Sequence, residues 1–264
     1  GLTKPSAPMY IMEPVLLAGK AAVRLARGDL AEAPALIEKA RGIVTQYAMK
    51  NCVPLVAFVS GKIAGGGGKP EDALAAARLG AHALGFVFYA KSPRHVTGPR
   101  AAEIIGALPP FISAVGLFVN PEASEVERVL ARVPLTLLQF HGEETPEFCA
   151  RFKVPYLKAA RVRAGLDLLQ YARQYGAARG LLLDAFADGT HGGTGTLFDW
   201  SLIPRELPRP VILSGGLTPE NVAEAIRCVR PWAVDVSSGV EASPGLKDPL
   251  KIAAFMKEVH GADG

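Results

Sequence analysis

The sequence predicts an α/β fold, a closed (β/α)8 barrel with an N-terminal helical extension, and three observations carry that prediction. Eight short apolar runs recur from residue 53 onward, with helical stretches between them. Strands that alternate with helices pair in parallel through right-handed crossovers, and eight of them favour a closed barrel over an open sheet. Polar and glycine residues follow several of the runs, where a barrel places its chemistry.

The eight candidate strands are too short for independent helices, and several lack polar alternation, which is typical of strands buried on both faces. In order they are VPLVAFVSGKIA (53–64), ALGFVFY (83–89), AVGLFV (114–119), TLLQFHG (136–142), YLKAARV (156–162), GLLLDA (180–185), PVILSGG (210–216) and AVDVSSG (233–239). The stretch PEDALAAARLGA has proline and acids at its start and ends at Gly80, which predicts a helix. Thr145 and Thr218 are predicted N-caps of later helices.

Residues 1–52 do not follow this repeat. They read as two helices, the first ending near Gly28 and the second beginning around Pro34. We therefore expect a helical extension or inserted segment at 1–52 and a barrel at 53–264. Apolar faces on both helices are expected to pack on the barrel or on a partner.

The composition excludes several classes of protein. The chain has 264 residues, of which 49% are hydrophobic and 20% charged, and a formal net charge of +4 with no basic run, so nucleic acid is not an expected partner. No apolar run reaches the ~18 residues that span a bilayer, and the N-terminus lacks a signal-peptide layout. Three scattered cysteines argue against a disulfide framework and a zinc site, so we expect no metal and a cytoplasmic location.

Two glycine-rich loops point to a phosphate site. Gly215 and Gly216 follow the seventh predicted strand, and Ser237, Ser238 and Gly239 follow the eighth. In a barrel, backbone N–H groups of these two loops converge on a phosphate, because glycine allows close backbone approach. Tight turns alone would explain one such loop, but two in the expected places favour a phosphate on a small-molecule partner.

Two charged residues lie at other strand ends. Asp184 ends GLLLDA, where it would be a general acid, or simply a helix cap or the partner of a lysine. Arg94 follows the second strand in YAKSPRHV, where its planar guanidinium suits a substrate carboxylate. The alternative is a solvated cation on a loop. Together at one barrel mouth they favour a catalytic site.

The chain from about Lys69 to Val259 closely resembles phosphoribosylanthranilate isomerase of tryptophan biosynthesis. The motifs that carry the resemblance are PEDALAAARLGAHALGFVFYAKSPRHV, LPPFISAVGLFVN, LQFHGEE, LLLDA, HGGTGTLFDW, SGGLTPENVAEAI and VRPWAVDVSSGVEASPGLKD. The resemblance implies a (β/α)8 barrel that converts N-(5-phosphoribosyl)anthranilate into 1-(2-carboxyphenylamino)-1-deoxyribulose 5-phosphate. That Amadori rearrangement needs no metal or organic cofactor.

The resemblance also implies roles for the residues above. Asp184 would be the general acid, and Arg94 would bind the anthranilate carboxylate. The loops at Gly215–Gly216 and Ser237–Gly239 would hold the phosphate, and GGTG (192–195) would be a mobile loop. Two further residues, His141 and Asp235, would line the mouth.

The sequence departs from the family at the first strand. The family's general base is a cysteine in a motif of the form K-I-C-G-[IL]-T, followed shortly by E-D-A. Lys62 and Ile63 keep the first two positions, but the cysteine position falls on Ala64, counted forward from Lys62, or on Gly65, counted backward from Glu71. Neither side chain accepts a proton, so the resemblance predicts impaired activity.

We interpret the segment GKIAGGGGKPEDA (61–73) as a catalytic βα loop without its base, at the joint of a splice. The chain opens with GLTKP, which is what should follow the missing cysteine, and Lys69-Pro70 repeats its last two residues. We hypothesise that residues from about Ser6 to Gly68 are foreign to the isomerase and that PLVAFVSGKIA supplies a surrogate first strand. The four glycines would be a linker in a natural or engineered fusion, or else an anion-binding nest.

Two other functions stay open. One is a catalytically silent phosphosugar-binding barrel or fusion whose N-terminal helices bind a partner, with homodimerisation or strand exchange through that segment. The other is a different phosphosugar enzyme, for which Lys158 or the pair Asp184 and Asp235 would supply the catalytic groups.

Overall fold

Eight parallel strands close into a barrel in the computed structural model of the chain, which describes residues 56–60, 70–185 and 199–262. Each strand pairs with the next along the chain, and the eighth pairs with the first. This confirms the predicted fold class. The strands are β1 (Val56–Ser60), β2 (Ala83–Val87), β3 (Ser113–Phe118), β4 (Leu137–Phe140), β5 (Tyr156–Val162), β6 (Gly180–Ala185), β7 (Val211–Leu213) and β8 (Ala233–Val236).

The first strand closes the barrel on both sides. Phe58 is in register with Ala83 of β2 and with Asp235 of β8, so the backbone of 56–60 occupies the position expected of a surrogate strand. The predicted extension at 1–52, the base position at Ala64 or Gly65 and the GGTG loop at 192–195 lie outside the described residues.

Helices surround the barrel as the alternating pattern predicts. They are α1 (Pro70–Arg78), α2 (Gly98–Gly106), α3 (Ala123–Leu130), α4 (Pro146–Ala150), α5 (Leu168–Gln174), α6 (Val222–Val229) and α7 (Pro249–Gly261). Thr145 caps α4 as predicted, since its side chain accepts a hydrogen bond from the Phe148 amide. Thr218 also caps as predicted: its hydroxyl accepts the Glu220 amide, and its carbonyl accepts the Val222 amide at the start of α6. Asn221 returns the contact, since its side chain accepts the Thr218 amide.

Two further elements follow β8. A two-stranded antiparallel hairpin, β9 (Glu241–Ser243) and β10 (Leu246–Lys247), leads into α7, whose first turn Asp248 caps. A short 3₁₀ turn (Trp200–Leu202) precedes β7. The hairpin matters for the site because it carries Glu241 and Lys247 towards the β2 loop.

A cluster of apolar side chains lies in the barrel interior. Side chains from seven strands, β2 to β8, form a cluster that is almost wholly apolar: Ala83, Val115, Leu137, Leu157, Ala159, Leu182, Ile212 and Ala233. Because successive side chains of a strand point to opposite faces, residues two further along the same strands also point inward. On β4, β6, β7 and β8, the inward positions towards the carboxyl end are polar: Gln139, His141, Asp184, Ser214 and Asp235.

Candidate active site

A chain of three buried polar side chains lies at the mouth of the barrel. His141 Nε2 is 3.0 Å from Asp184 Oδ2, and Gln139 Nε2 is 3.0 Å from His141 Nδ1. The exposed fractions of Gln139, His141 and Asp184 are only 2%, 7% and 3%. Two of the residues predicted from sequence, His141 and Asp184, are thus in direct contact, although they are 43 positions apart.

The loop after β4 holds His141 in place from behind. Glu144 accepts hydrogen bonds from the backbone amides of Asn120 and Gly142, and Lys158 Nζ lies 2.9 Å from Glu144 Oε2. Lys158 also donates to the Gly142 carbonyl, and the Tyr175 hydroxyl donates to the Glu144 carbonyl. The segment on either side of His141 is therefore fixed by a fully buried ion pair.

Lys158 does not lie in the barrel interior. Its neighbours Leu157 and Ala159 belong to the interior cluster, so Lys158 points outward, into the layer between strands and helices. Its Nζ lies 5.5 Å from the centre of the Tyr175 ring. The interpretation of Lys158 as a catalytic lysine is therefore wrong.

The glycine loop after β7 lies against Asp184. Gly215 and Gly216 have φ angles of +84° and +65°, a left-handed conformation that glycine adopts without strain. A Cβ at Gly215 would lie 2.8 Å from Asp184 Oδ1, so no larger residue fits there without displacing the carboxylate. Asn221 Nδ2 donates to the Gly216 carbonyl and holds the loop from the helix side.

The two glycine-rich loops touch each other. A Cβ at Gly239 would collide with the Leu217 carbonyl, so glycine at this position lets the loop after β8 pack on the loop after β7. Below them, Ser214 Oγ donates to Asp235 Oδ2 at 3.0 Å. The structure therefore places Gly215 next to Asp184, Gly239 against the loop after β7, and Asp235 next to Ser214 at the start of that loop.

Arg94 is held by a carboxylate from the hairpin. Its Nε and Nη2 donate to the two oxygens of Glu241 at 2.8 Å each, and Lys247 Nζ lies 3.2 Å from Glu241 Oε1. Lys247 also donates to the Ser237 carbonyl at 2.6 Å, which ties the cluster to the loop after β8. We call Arg94, Glu241 and Lys247 the mouth cluster.

For both Glu241 and Lys247, burial shifts the pKa against the charged form and pairing shifts it in favour of the charged form. Burial lowers the pKa of Lys247 to about 8, although the Glu241 charge favours its protonated form. Burial raises the pKa of Glu241, but hydrogen bonds from Arg94 and the charge of Lys247 outweigh it and leave that pKa below its usual value. The Glu241 carboxylate stays ionised because Arg94 and Lys247 both pair with it. The Lys247 ammonium is almost fully buried, so burial is the largest influence on its pKa.

Sequence reasoning missed three residues of the mouth, Gln139, Glu241 and Lys247, and Glu144, which supports the mouth from the outer layer. Gln139 had a readable signal, because it lies two positions before His141 on the same strand and so faces the same side. Glu241 had none, since its partner Arg94 is 147 positions away.

Within residues 71–185 and 199–262, no group of three or more His, Cys, Asp or Glu side chains is arranged to hold a metal ion. In the same part of the chain, the helices are all too short or too polar to cross a membrane.

Residues 66–258 match the family model described as N-(5′-phosphoribosyl)anthranilate (PRA) isomerase. The chain belongs to the PRA isomerase family. The match begins at Gly66, directly after Ala64 and Gly65, so the position of the family's cysteine falls outside the matched residues.

Relatives and solved structures agree with this assignment. The N-(5′-phosphoribosyl)anthranilate isomerase of Nitrosospira multiformis is 59% identical over 189 residues, which are 72% of this chain and 91% of the relative. That of Pseudomonas syringae pv. tomato is 60% identical over 191 residues, 72% of this chain and 93% of the relative. Phosphoribosyl anthranilate isomerase from Thermotoga maritima superposes with a TM-score of 0.71 at 42% identity, covering 78% of this chain and 99% of its own.

One further structure of a PRA isomerase contains a ligand. It was solved in complex with reduced 1-(o-carboxyphenylamino)-1-deoxyribulose 5-phosphate, and it superposes with a TM-score of 0.67 at 41% identity, covering 78% of this chain and 99% of its own.

Proposed function

We propose that this chain binds N-(5-phosphoribosyl)anthranilate and carries out the isomerisation of its family, in tryptophan biosynthesis, with turnover lowered by the missing general base. One observation carries the proposal. The carboxylate of Asp184 is hydrogen-bonded to His141 on one oxygen and lies against Gly215 of the glycine loop on the other. An acid and a loop suited to phosphate therefore share one wall of the mouth.

Each step of the reaction has a candidate group on this wall. Asp184 would protonate the ring oxygen of the sugar as the C1′–O bond breaks, giving a Schiff base. Backbone amides of the two glycine-rich loops would hold the phosphate, and Arg94 would take the anthranilate carboxylate. His141 and Asp235 would complete the wall around the sugar.

The step that follows lacks the base of the family, because Ala64 or Gly65 stands at the cysteine position. A group must remove the proton from C2′ to give the enolamine, which then tautomerises to the ketone. Ala64 and Gly65 cannot do this, and loss of general acid–base assistance typically lowers a rate by ~10²- to 10⁴-fold, while positioning and electrostatic contributions persist.

The test is turnover of freshly made phosphoribosylanthranilate, followed as the loss of its fluorescence. We expect a slow rate above background in this chain and a faster one in Gly65→Cys or Ala64→Cys. Asp184→Asn is the control for the acid, and it should abolish the rate in the faster cysteine variant. A rate equal to that of the family's complete enzymes would refute the claim that the base is missing. A rate at background in both cysteine variants would favour a silent binding barrel.

We also propose the cytoplasm as the compartment and the N-terminal segment as the route to a homodimer or to strand exchange. The sparse, scattered cysteines support a reducing compartment. Light scattering on the full chain would test self-association, and a mass equal to one chain at micromolar concentration would refute it.

A further inference from the structure

Gln139 is a buried amide on the inner face of β4, directly beneath His141. The residues of the interior cluster, Leu137 and Leu157 among them, are apolar, so the polarity of this environment would favour leucine at position 139. Burying an amide costs free energy unless it is hydrogen-bonded. The Gln139 side chain forms such a bond, 3.0 Å long, with His141 Nδ1.

This contact bears on where the imidazole proton lies. The amide nitrogen of Gln139 faces His141 Nδ1 and is a donor without a lone pair to accept, so in this arrangement Nδ1 is the acceptor. A neutral imidazole with a free Nδ1 carries its proton on Nε2. The Nε2–H group then donates to Asp184 Oδ2, 3.0 Å away.

We propose that Gln139 is a positioning residue that keeps His141 in the Nε2–H tautomer, so that His141 donates to Asp184 and does not take its proton. The consequence for catalysis rests on the proposed role of Asp184 as general acid. The tautomer itself can be tested without any turnover.

The proton balance explains why the tautomer matters. With Nε2–H facing Oδ2, the oxygen left to carry the proton that a general acid transfers would be Oδ1, which lies beside Gly215. When the O–H bond of Asp184 breaks and an O–H bond forms on the sugar oxygen, the new carboxylate keeps the hydrogen bond from His141 and that from the Ala185 amide. In the opposite tautomer, the lone pair of Nε2 would accept the carboxyl proton and compete with the substrate for it.

The direct experiment is long-range ¹H–¹⁵N correlation NMR on the ¹⁵N-labelled full chain, with the resonances of His141 assigned from the His141→Asn spectrum. We expect Nδ1 to be unprotonated and Nε2 to carry the proton. A protonated Nδ1 in the wild-type chain would overturn the proposal.

Two variants extend the test. Gln139→Glu places a carboxylate where the amide was, so we expect Nδ1 to become protonated; an unchanged Nε2–H tautomer in this variant would overturn the proposal. Gln139→Leu removes the donor at similar size, and we expect both tautomers to appear. Gln170→Leu, on the exposed surface of α5, is the matched control and should leave the His141 resonances unchanged. Unchanged amide resonances elsewhere establish that each variant is folded.

Kinetics separate this proposal from the proposed function. In the faster cysteine variant, Gln139→Leu should lower kcat about tenfold, a part of the ~10²–10⁴ that acid–base catalysis supplies, with KM nearly unchanged. A raised KM with unchanged kcat would contradict a role in positioning the acid. Absence of turnover in every variant would refute the proposed function and leave the tautomer result standing.

Discussion

Two buried ion-pair clusters lie around the barrel, and they differ in how their charges are shared. In the outer layer, Lys158 is the one cation of the described residues that pairs with Glu144, and backbone amides also donate to that carboxylate. In the mouth cluster, Arg94 and Lys247 share Glu241, and Arg94 retains 12% exposure. The first cluster holds the loop after β4, whereas the second joins the β2 loop to the hairpin and to the loop after β8.

The two carboxylates therefore differ in how many cations compensate them. A pair with one cation loses its whole compensation when that cation is removed, whereas a shared carboxylate keeps a partner. The substitutions below test that contrast, from the largest expected effect to the smallest.

Lys158→Met should cause the largest loss of stability. It leaves Glu144 buried with no cation, and breaking a buried pair this way costs ~3–5 kcal/mol. For a chain of this size that corresponds to a fall in Tm of about 10 °C. Differential scanning calorimetry measures it.

The matched control is Lys158→Met combined with Glu144→Gln, which removes both charges and should recover part of the lost Tm. A single variant as stable as wild type would mean that the outer cluster does not hold the loop.

Arg94→Lys should weaken ligand binding and leave stability nearly unchanged. The ammonium keeps the charge but loses the two-pronged contact with Glu241 and the planar fork for a carboxylate. We expect about a tenfold loss of affinity for the reduced product analogue, equivalent to ~1.4 kcal/mol. Lys247 still pairs with Glu241, so Tm should change by less than in Lys158→Met.

Arg100→Lys, on an exposed ion pair with Glu103, is the control and should change neither quantity. A fall in Tm for Arg94→Lys as large as that for Lys158→Met would remove the distinction between the clusters.

Lys247 should make stability depend on pH. Its pKa is lowered from 10.5 to about 8 by burial, so between these values the unfolded chain binds more protons than the folded one. The free energy of unfolding therefore rises with pH from about 8 to 10.5 through this group, and the full cost of burying the ammonium is present below 8. Lys247→Met removes the group and should remove this rise.

The comparison between wild type and Lys247→Met isolates the effect. Burial raises the pKa of Cys149 and of Tyr175 to about 12, and these groups lower stability at high pH in both proteins. Urea unfolding of the two proteins at pH 7.5 and 9.5 gives the difference. A difference that does not change with pH, or that changes in the opposite direction, would contradict the assignment.

The sequence alone predicted the barrel because strand and helix periodicity is local. It also predicted Asp184, His141 and the glycine loops, because the ends of parallel strands meet at one mouth. Thr145 and Thr218 could be predicted as caps because a cap contacts amides only two or three positions away. Glu241 was missed because only the folded hairpin brings it to Arg94.

We propose above all that the pocket still binds a phosphorylated amino-sugar, although Ala64 or Gly65 stands where the family has its general base. Isothermal titration calorimetry of the full chain with reduced 1-(o-carboxyphenylamino)-1-deoxyribulose 5-phosphate tests it most directly. We predict saturable binding of one molecule per barrel that weakens in Arg94→Lys. No detectable heat at millimolar ligand, from a protein that calorimetry shows to be folded, would contradict the account.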